Sequence, residues 1–190
     1  MNKRVLSLTL LLACLGLMTM QAEGRKVESF NSGWSFKKAP AEKDLAINAP
    51  KWDKGWSEVE IPHTWNAKDM HVEANSFYEG AAYYKKQYFF PAELKDKRVF
   101  LRFEGVGSCA EVFVNGMLAT SHKGGYSAFA CEISPLLNAG EENEIIVKAD
   151  NKSRPDVIPV NHNLFGVYGG IYRPVWLVVT EPCNISVTDC

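Results

Sequence analysis

The sequence predicts an all-β fold, an antiparallel β-sandwich or jelly roll. Three observations carry that expectation. Short runs alternate apolar and polar residues, turn residues separate them at close intervals, and few windows sustain a 3.6-residue apolar period. The chain has 190 residues, 46% of them hydrophobic and 23% charged, which is globular composition and enough length for one domain with a substantial core.

Each element has its own justification. "GWSFKKA" (33–39) and "WSEVEIP" (56–62) alternate, and "GAAYYKKQYFFP" (80–91) is dense in aromatic residues, which favour a pleated, half-buried surface. "RVFLRFEG" sets Val99, Leu101 and Phe103 on one face, with Phe100, Arg102 and Glu104 on the other. In "AEVFVNGMLATSH" the pair Asn115-Gly116 is a hairpin signal, because a type I′ turn needs positive φ at both central residues. "SAFACEIS" (127–134) is a further strand, and "PLLNAGEE" is one helical turn or loop broken at Gly140. "NEIIVKADN" (143–151) and "RPVWLVVTEP" (173–182) complete about eight strands, and 44–50 is too short to count as a helix. The connection from Lys152 to Gly169 is long and carries little strand pattern, as functional loops do.

Charge and composition exclude several classes. A net charge of −1 provides no basic face for nucleic acid and no polybasic membrane patch. At the N-terminus, Lys3 and Arg4 precede an apolar run that ends in a small residue at Ala22, the order of a secretory signal peptide. That run is short for a membrane span, so no transmembrane segment is expected. A second reading lies inside it: "LLAC" (11–14) has the form of a lipobox, with Cys14 as the lipidated residue. Export makes disulfides feasible among Cys109, Cys131, Cys183 and Cys190, but none has CxxC spacing. Free thiols are the expectation. No histidine stands at a metal-ligand interval from a cysteine, and "NHN" (161–163) is a poor ligand set, so neither metal nor other cofactor is expected.

Six blocks, in order, resemble one family: "WSEVEIPHTWN" (56–66), "YYKKQYFFP" (83–91), "VFLRFEGVGSCAEVFVNG" (99–116), "HKGGYSAFACEISPLL" (122–137), "NEIIVKADN" and "YGGIYRPVWL" (168–177). They are similar to the N-terminal sugar-binding, galactose-binding-like jelly roll of glycoside hydrolase family 2, the β-galactosidase, β-glucuronidase and β-mannosidase group. The likeness runs from about Phe30 to Thr180. With the signal peptide at 1–22, it implies the sugar-binding sandwich at 23–182 and the start of a linker to the next domain at 183–190. It also implies a carbohydrate partner and retaining hydrolysis of a β-linked sugar. The two carboxylates for that reaction lie on a barrel that follows an immunoglobulin-like domain. "ISVTDC" reads as the opening of the next segment, so the expectation is a secreted, periplasmic fragment without catalytic residues of its own. The alternative is a freestanding secreted carbohydrate-binding module.

The resemblance also directs attention to particular residues. In the family, an acidic residue in the loop before the "GIYR"-type segment helps hold the terminal sugar; here Asn161, His162 or Asn163 occupies that neighbourhood. These are the candidate sugar contacts, against a plainer reading as ordered loop residues. A second family contact is an Asn in the "FDGVNS"-type turn, where this chain has Gly107. Gly105 and Gly107 read as a tight reversal. Gly169 and Gly170 read as a structural turn that lets Ile171 enter the core while Tyr172 and Arg173 face outward, with Arg173 as a surface or interdomain ion-pair residue. Trp52, Trp56 and Trp65 suggest sugar stacking, but packing is the stronger reading for each, and Trp65 reads as a plug at a strand exit. Glu79, Glu104, Asp150 and Asp156 form no recognisable pair, and no GxSxG elbow is present. Asn151-Lys-Ser153 and Asn184-Ile-Ser186 match the glycosylation pattern, which is frequent by chance.

Overall fold

In the computed structural model, residues 24–39, 55–69, 77–160 and 166–187 are described. Ten strands are present among them: β1 Lys26–Ser29, β2 Trp34–Lys38, β3 Ser57–Val59, β4 Ala81–Phe90, β5 Arg98–Phe103, β6 Cys109–Val114, β7 Met117–Lys123, β8 Phe129–Glu132, β9 Glu141–Asp150 and β10 Val175–Thr180. They form two antiparallel sheets. One has the order β1-β10-β5-β8, and the other β3-β2-β4-β9-β6-β7.

Alternation places the core between the sheets. Val99, Leu101 and Phe103 of β5, with Val175, Leu177 and Val179 of the neighbouring β10, face Ala110, Val112 and Val114 of β6 and Ile145, Val147 and Ala149 of β9 in one cluster. The opposite face of β5 is only partly solvated. Phe100 is buried with Val178 and with Val187, because the segment after β10 lies across the outside of the four-stranded sheet. Arg25 ties that segment down, its Nη2 donating to the carbonyls of Ile185 (2.6 Å) and Ser186 (3.2 Å).

The Asn115-Gly116 signal is realised as a tight hairpin. Val114 and Met117 pair across it, and both central residues have positive φ, 50° and 79°. The Asn115 carboxamide adds a bond to the Leu136 carbonyl and one to Asn143 Oδ1, both 2.8 Å. "PLLNAGEE" begins with a single 3₁₀ turn, Ser134–Leu136, and Gly140 takes a positive φ before β9. β1 carries no sequence signal, since all four of its residues are exposed. The Asp44–Pro50 stretch lies outside the described residues.

Among the described residues Cys109, Cys131 and Cys183 are free thiols, and Cys190 lies outside them. Burial pushes the Cys131 thiol up to about 12, so it behaves as a small hydrophobe rather than a nucleophile.

A tyrosine-lined cleft and its supports as the candidate functional site

The segment before β10 is held by close backbone approach. Gly107 and Gly170 pair as an isolated antiparallel bridge, with N–H···O distances of 3.0 and 3.3 Å in the two directions. A Cβ on Gly107 would lie 2.2 Å from the Tyr168 carbonyl oxygen, so the glycine permits contact between two distant segments rather than a reversal of one. At Gly169 a Cβ would lie 1.8 Å from Trp65 Cζ2. Gly170 has φ of 119°, and a Cβ there would meet the Tyr84 hydroxyl and the His63 carbonyl. Ile171 is thereby delivered into the core with no exposure.

Trp65 is the buried plug expected. Its indole stacks with Phe36 (6.1 Å, 23°) and its Nε1 donates to the Tyr78 carbonyl at 3.4 Å. Trp56 packs outside the six-stranded sheet against Tyr83 and Ile146, with the Lys85 ammonium 4.6 Å from its ring centre. Trp52 lies outside the described residues.

Beside the glycine bridge is a cleft of about 350 Å³, lined by Thr64, Gly107, Ser108, Gly125, Tyr126, Gly166, Val167, Tyr168 and Tyr172. Tyr126 is 61% and Tyr168 42% exposed, large aromatic surfaces offered to solvent. Tyr172 does not face outward with Arg173 as the sequence suggests. It is half-buried, its hydroxyl donates to the Gly125 carbonyl, and it fixes the crossover between β7 and β8 to the end of the long loop. Arg173 is exposed, with its guanidinium 5.5 Å from the Tyr172 ring centre. The described lining holds no charged side chain. Gly107, one of the two family positions read from the sequence, lines this cleft. Asn161, His162 and Asn163 themselves lie outside the described residues.

Nearby groups are engaged in other ways. Glu104 accepts from Arg102 Nε at 3.0 Å, Asp150 from Arg154 Nη2 at 2.8 Å, and Asp156 pairs with Lys123. Glu79 is exposed. His122 stacks on Phe129 at 4.2 Å, and its Nε2 lies 3.0 Å from the Gly124 carbonyl and 3.2 Å from Ser127 Oγ. A carbonyl only accepts, so Nε2 is the donor and does not take the Ser127 proton.

His63 sits behind the cleft, half-buried. Its Nδ1 is 2.8 Å from the Tyr84 hydroxyl, and its backbone N–H donates to the Ile171 carbonyl at 2.8 Å. Burial first, then the Lys38 charge, lowers the His63 pKa below 6.5, and burial raises that of Tyr84. Both effects favour the neutral pair. The unfolded chain therefore takes up the histidine proton before the folded one does. This stabilisation is complete above pH about 6.5 and is lost as pH falls through the depressed folded value. Melting curves between pH 7.5 and 5 should show a fall in Tm that is smaller in His63→Gln; equal slopes in the two proteins would contradict the assignment.

The family profile described as "Glycosyl hydrolases family 2, sugar binding domain" matches residues 27–182. The chain belongs to this family. A crystal structure of a "putative beta-galactosidase" from Bacteroides fragilis superposes on the family 2 domain with a TM-score of 0.82 at 70% identity, covering 88% of this chain and 25% of that one. The β-glucuronidase from Bacteroides fragilis is 43% identical over 131 residues, 69% of this chain and 19% of that enzyme. The Bacteroides uniformis β-glucuronidase structure has a TM-score of 0.76 at 31% identity, covering 87% of this chain and 19% of that one. The family 2 chain thus spans about a fifth of the length of the curated relatives it matches. No helix among the described residues is long and apolar enough to cross a membrane.

The sequence did not single out Tyr126 or Asn66. Asn151 was visible only as a glycosylation pattern, yet it is fully buried and its Nδ2 lies within hydrogen-bond reach of three acceptors, an arrangement that leaves no room for a glycan in the folded chain. Asn184 donates to the Glu181 carbonyl at 2.8 Å.

Proposed function

We propose that this chain is the sugar-facing N-terminal domain of an exported β-glycosidase, and that the tyrosine-lined cleft forms one wall of its glycoside site. The observation that carries the reading is the meeting of the Gly107–Ser108 and Gly166–Tyr168 segments in one uncharged, aromatic cleft within a family 2 sugar-binding domain. A retaining glycosidase needs two carboxylates about 5 Å apart on a rigid frame. Glu104, Asp150 and Asp156 are held in ion pairs with neighbouring cations. Other domains of the enzyme supply the bond-cleaving pair, and this one supplies shape and stacking surface. The charged-apolar-small order of residues 1–22 supports export to the periplasm, with cleavage after Ala22 or lipidation at Cys14.

The cleft's lining makes a specific statement about selectivity. A glucuronide carboxylate calls for a cation to pair with, and the described lining offers none. Calorimetric titration of the chain with p-nitrophenyl β-galactoside and p-nitrophenyl β-glucuronide should give millimolar affinities, near −4 kcal/mol, that differ by less than about fivefold. Tyr126→Ala and Tyr168→Ala should each weaken both by about tenfold, the equivalent of one lost aromatic stack. Binding of neither glycoside, or binding indifferent to both substitutions, would reject the reading.

A further inference from the structure

Two carboxamides, 85 residues apart in the chain, meet in the interior beside the cleft: Asn66 and Asn151, both fully buried. Asn66 uses its whole hydrogen-bonding capacity. Its Nδ2 donates to Asp69 Oδ2 (2.7 Å) and to the Tyr78 carbonyl (3.0 Å), and its Oδ1 accepts from the Gly169 amide (2.8 Å) and from Asn151 Nδ2 (3.2 Å). Asn151 Nδ2 also reaches the carbonyls of Val167 (2.8 Å) and Tyr78 (3.2 Å), and its Oδ1 accepts from the Gly80 amide at 2.8 Å.

The partners fall at four places in the chain. Asn66 and Asp69 lie at the start of the connection that leads to β4, and Tyr78 and Gly80 at its end. Asn151 lies where the long loop leaves β9, and Val167 and Gly169 where it returns toward β10. We propose that Asn66 and Asn151 form a single positioning hub that sets the bases of both loops as one cooperative unit at the edge of the cleft. A buried amide has a strong requirement for its partners, so moving one loop base strands a donor or acceptor belonging to the other. The hub also places Val167 and Tyr168, which line the cleft, in register with Thr64. Its bearing on ligand rests on the cleft being the sugar-facing surface; the hub itself does not.

The test uses the unliganded chain. Gly80 and Gly169 donate to different carboxamides, so their amide hydrogens report the two halves separately. In native-state hydrogen exchange across a denaturant series, the hub predicts one shared opening for Gly80 and Gly169, below that of core amides such as Leu101 and Val147. In Asn66→Asp, Gly80 should lose at least tenfold in protection although it bonds only to residue 151, and Asn151→Asp should do the same to Gly169. The Asn66→Asp loss should also diminish as pH falls, because a new carboxylate beside Asp69 regains a donor only when it is protonated. Separate openings for the two glycines in the unmodified chain, or losses confined to each residue's own partner, would overturn the hub. The unmodified chain gives that answer even if both variants fail to fold. No ligand enters the experiment, so its failure leaves the sugar reading standing, and failure of glycoside binding leaves the hub standing.

Discussion

Gly169→Ala lowers the unfolding free energy by about 3 kcal/mol or more, the upper part of the range for inserting a carbon into a filled interior. The added Cβ would fall 1.8 Å from Trp65 Cζ2 and 2.2 Å from Cε2. The indole has no open direction in which to yield. Phe36 stacks on it, Tyr78 meets it edge-on at 6.2 Å, and its Nε1 is bonded to the Tyr78 carbonyl. The backbone cannot move away without stretching the Gly169 bond to Asn66. The cause is separable from the hub. If the clash with the indole dominates, Gly169→Ala should cost at least 1 kcal/mol less in a Trp65→Leu background, a coupling expected only between residues in contact. Denaturant unfolding of the two single variants and the double variant gives that number. Strict additivity would show that the backbone, not the ring, resists the change.

Phe103→Ala should cost about 3–5 kcal/mol, the usual range for removing a buried aromatic ring. Phe103 has no exposure and stacks on Phe129 at 4.9 Å and 12°, and Phe129 in turn carries His122. The three rings tie the paired strands β5 and β8 of one sheet to β7 of the other. The crossover of residues 124–128 hangs between β7 and β8 and carries Tyr126 into the cleft. The substitution should therefore do two things at once: lower the midpoint of unfolding and raise exchange at the Gly125 and Tyr126 amides well before global unfolding. A loss below 1 kcal/mol would mean that the core collapses onto the vacancy and that the stack does not hold the crossover.

Much of this architecture is legible in the residues because local physics decides it. Alternation in 98–103 and 109–114 specifies which side of each strand is buried, and Asn115-Gly116 specifies a turn that other residue pairs rarely form. Where the sequence misleads, the deciding partner is distant. β1 is an exposed edge strand, so nothing in "KVES" separates it from a loop. Phe100 reads as solvent-facing because its cover, Val187, comes 87 positions later. Gly107 reads as a reversal because nothing near it in sequence announces the Tyr168 carbonyl pressed against it. The hub shows the same limit. A buried asparagine has no local signature, and residue 151 advertises only a surface pattern that its burial contradicts. The site residues expected from the resemblance, Asn161 to Asn163, lie outside the described residues. Glycine contacts and tyrosines frame the cleft instead.

The most direct measurement is an isotope-filtered NOE experiment on the labelled chain with p-nitrophenyl β-galactoside. The cleft predicts contacts from pyranose C–H protons to the rings of Tyr126 and Tyr168, both lost in Tyr126→Ala/Tyr168→Ala. Contacts that map instead to the charged basin around Cys109, Lys148 and Arg154, or no contacts at saturating glycoside, would contradict it.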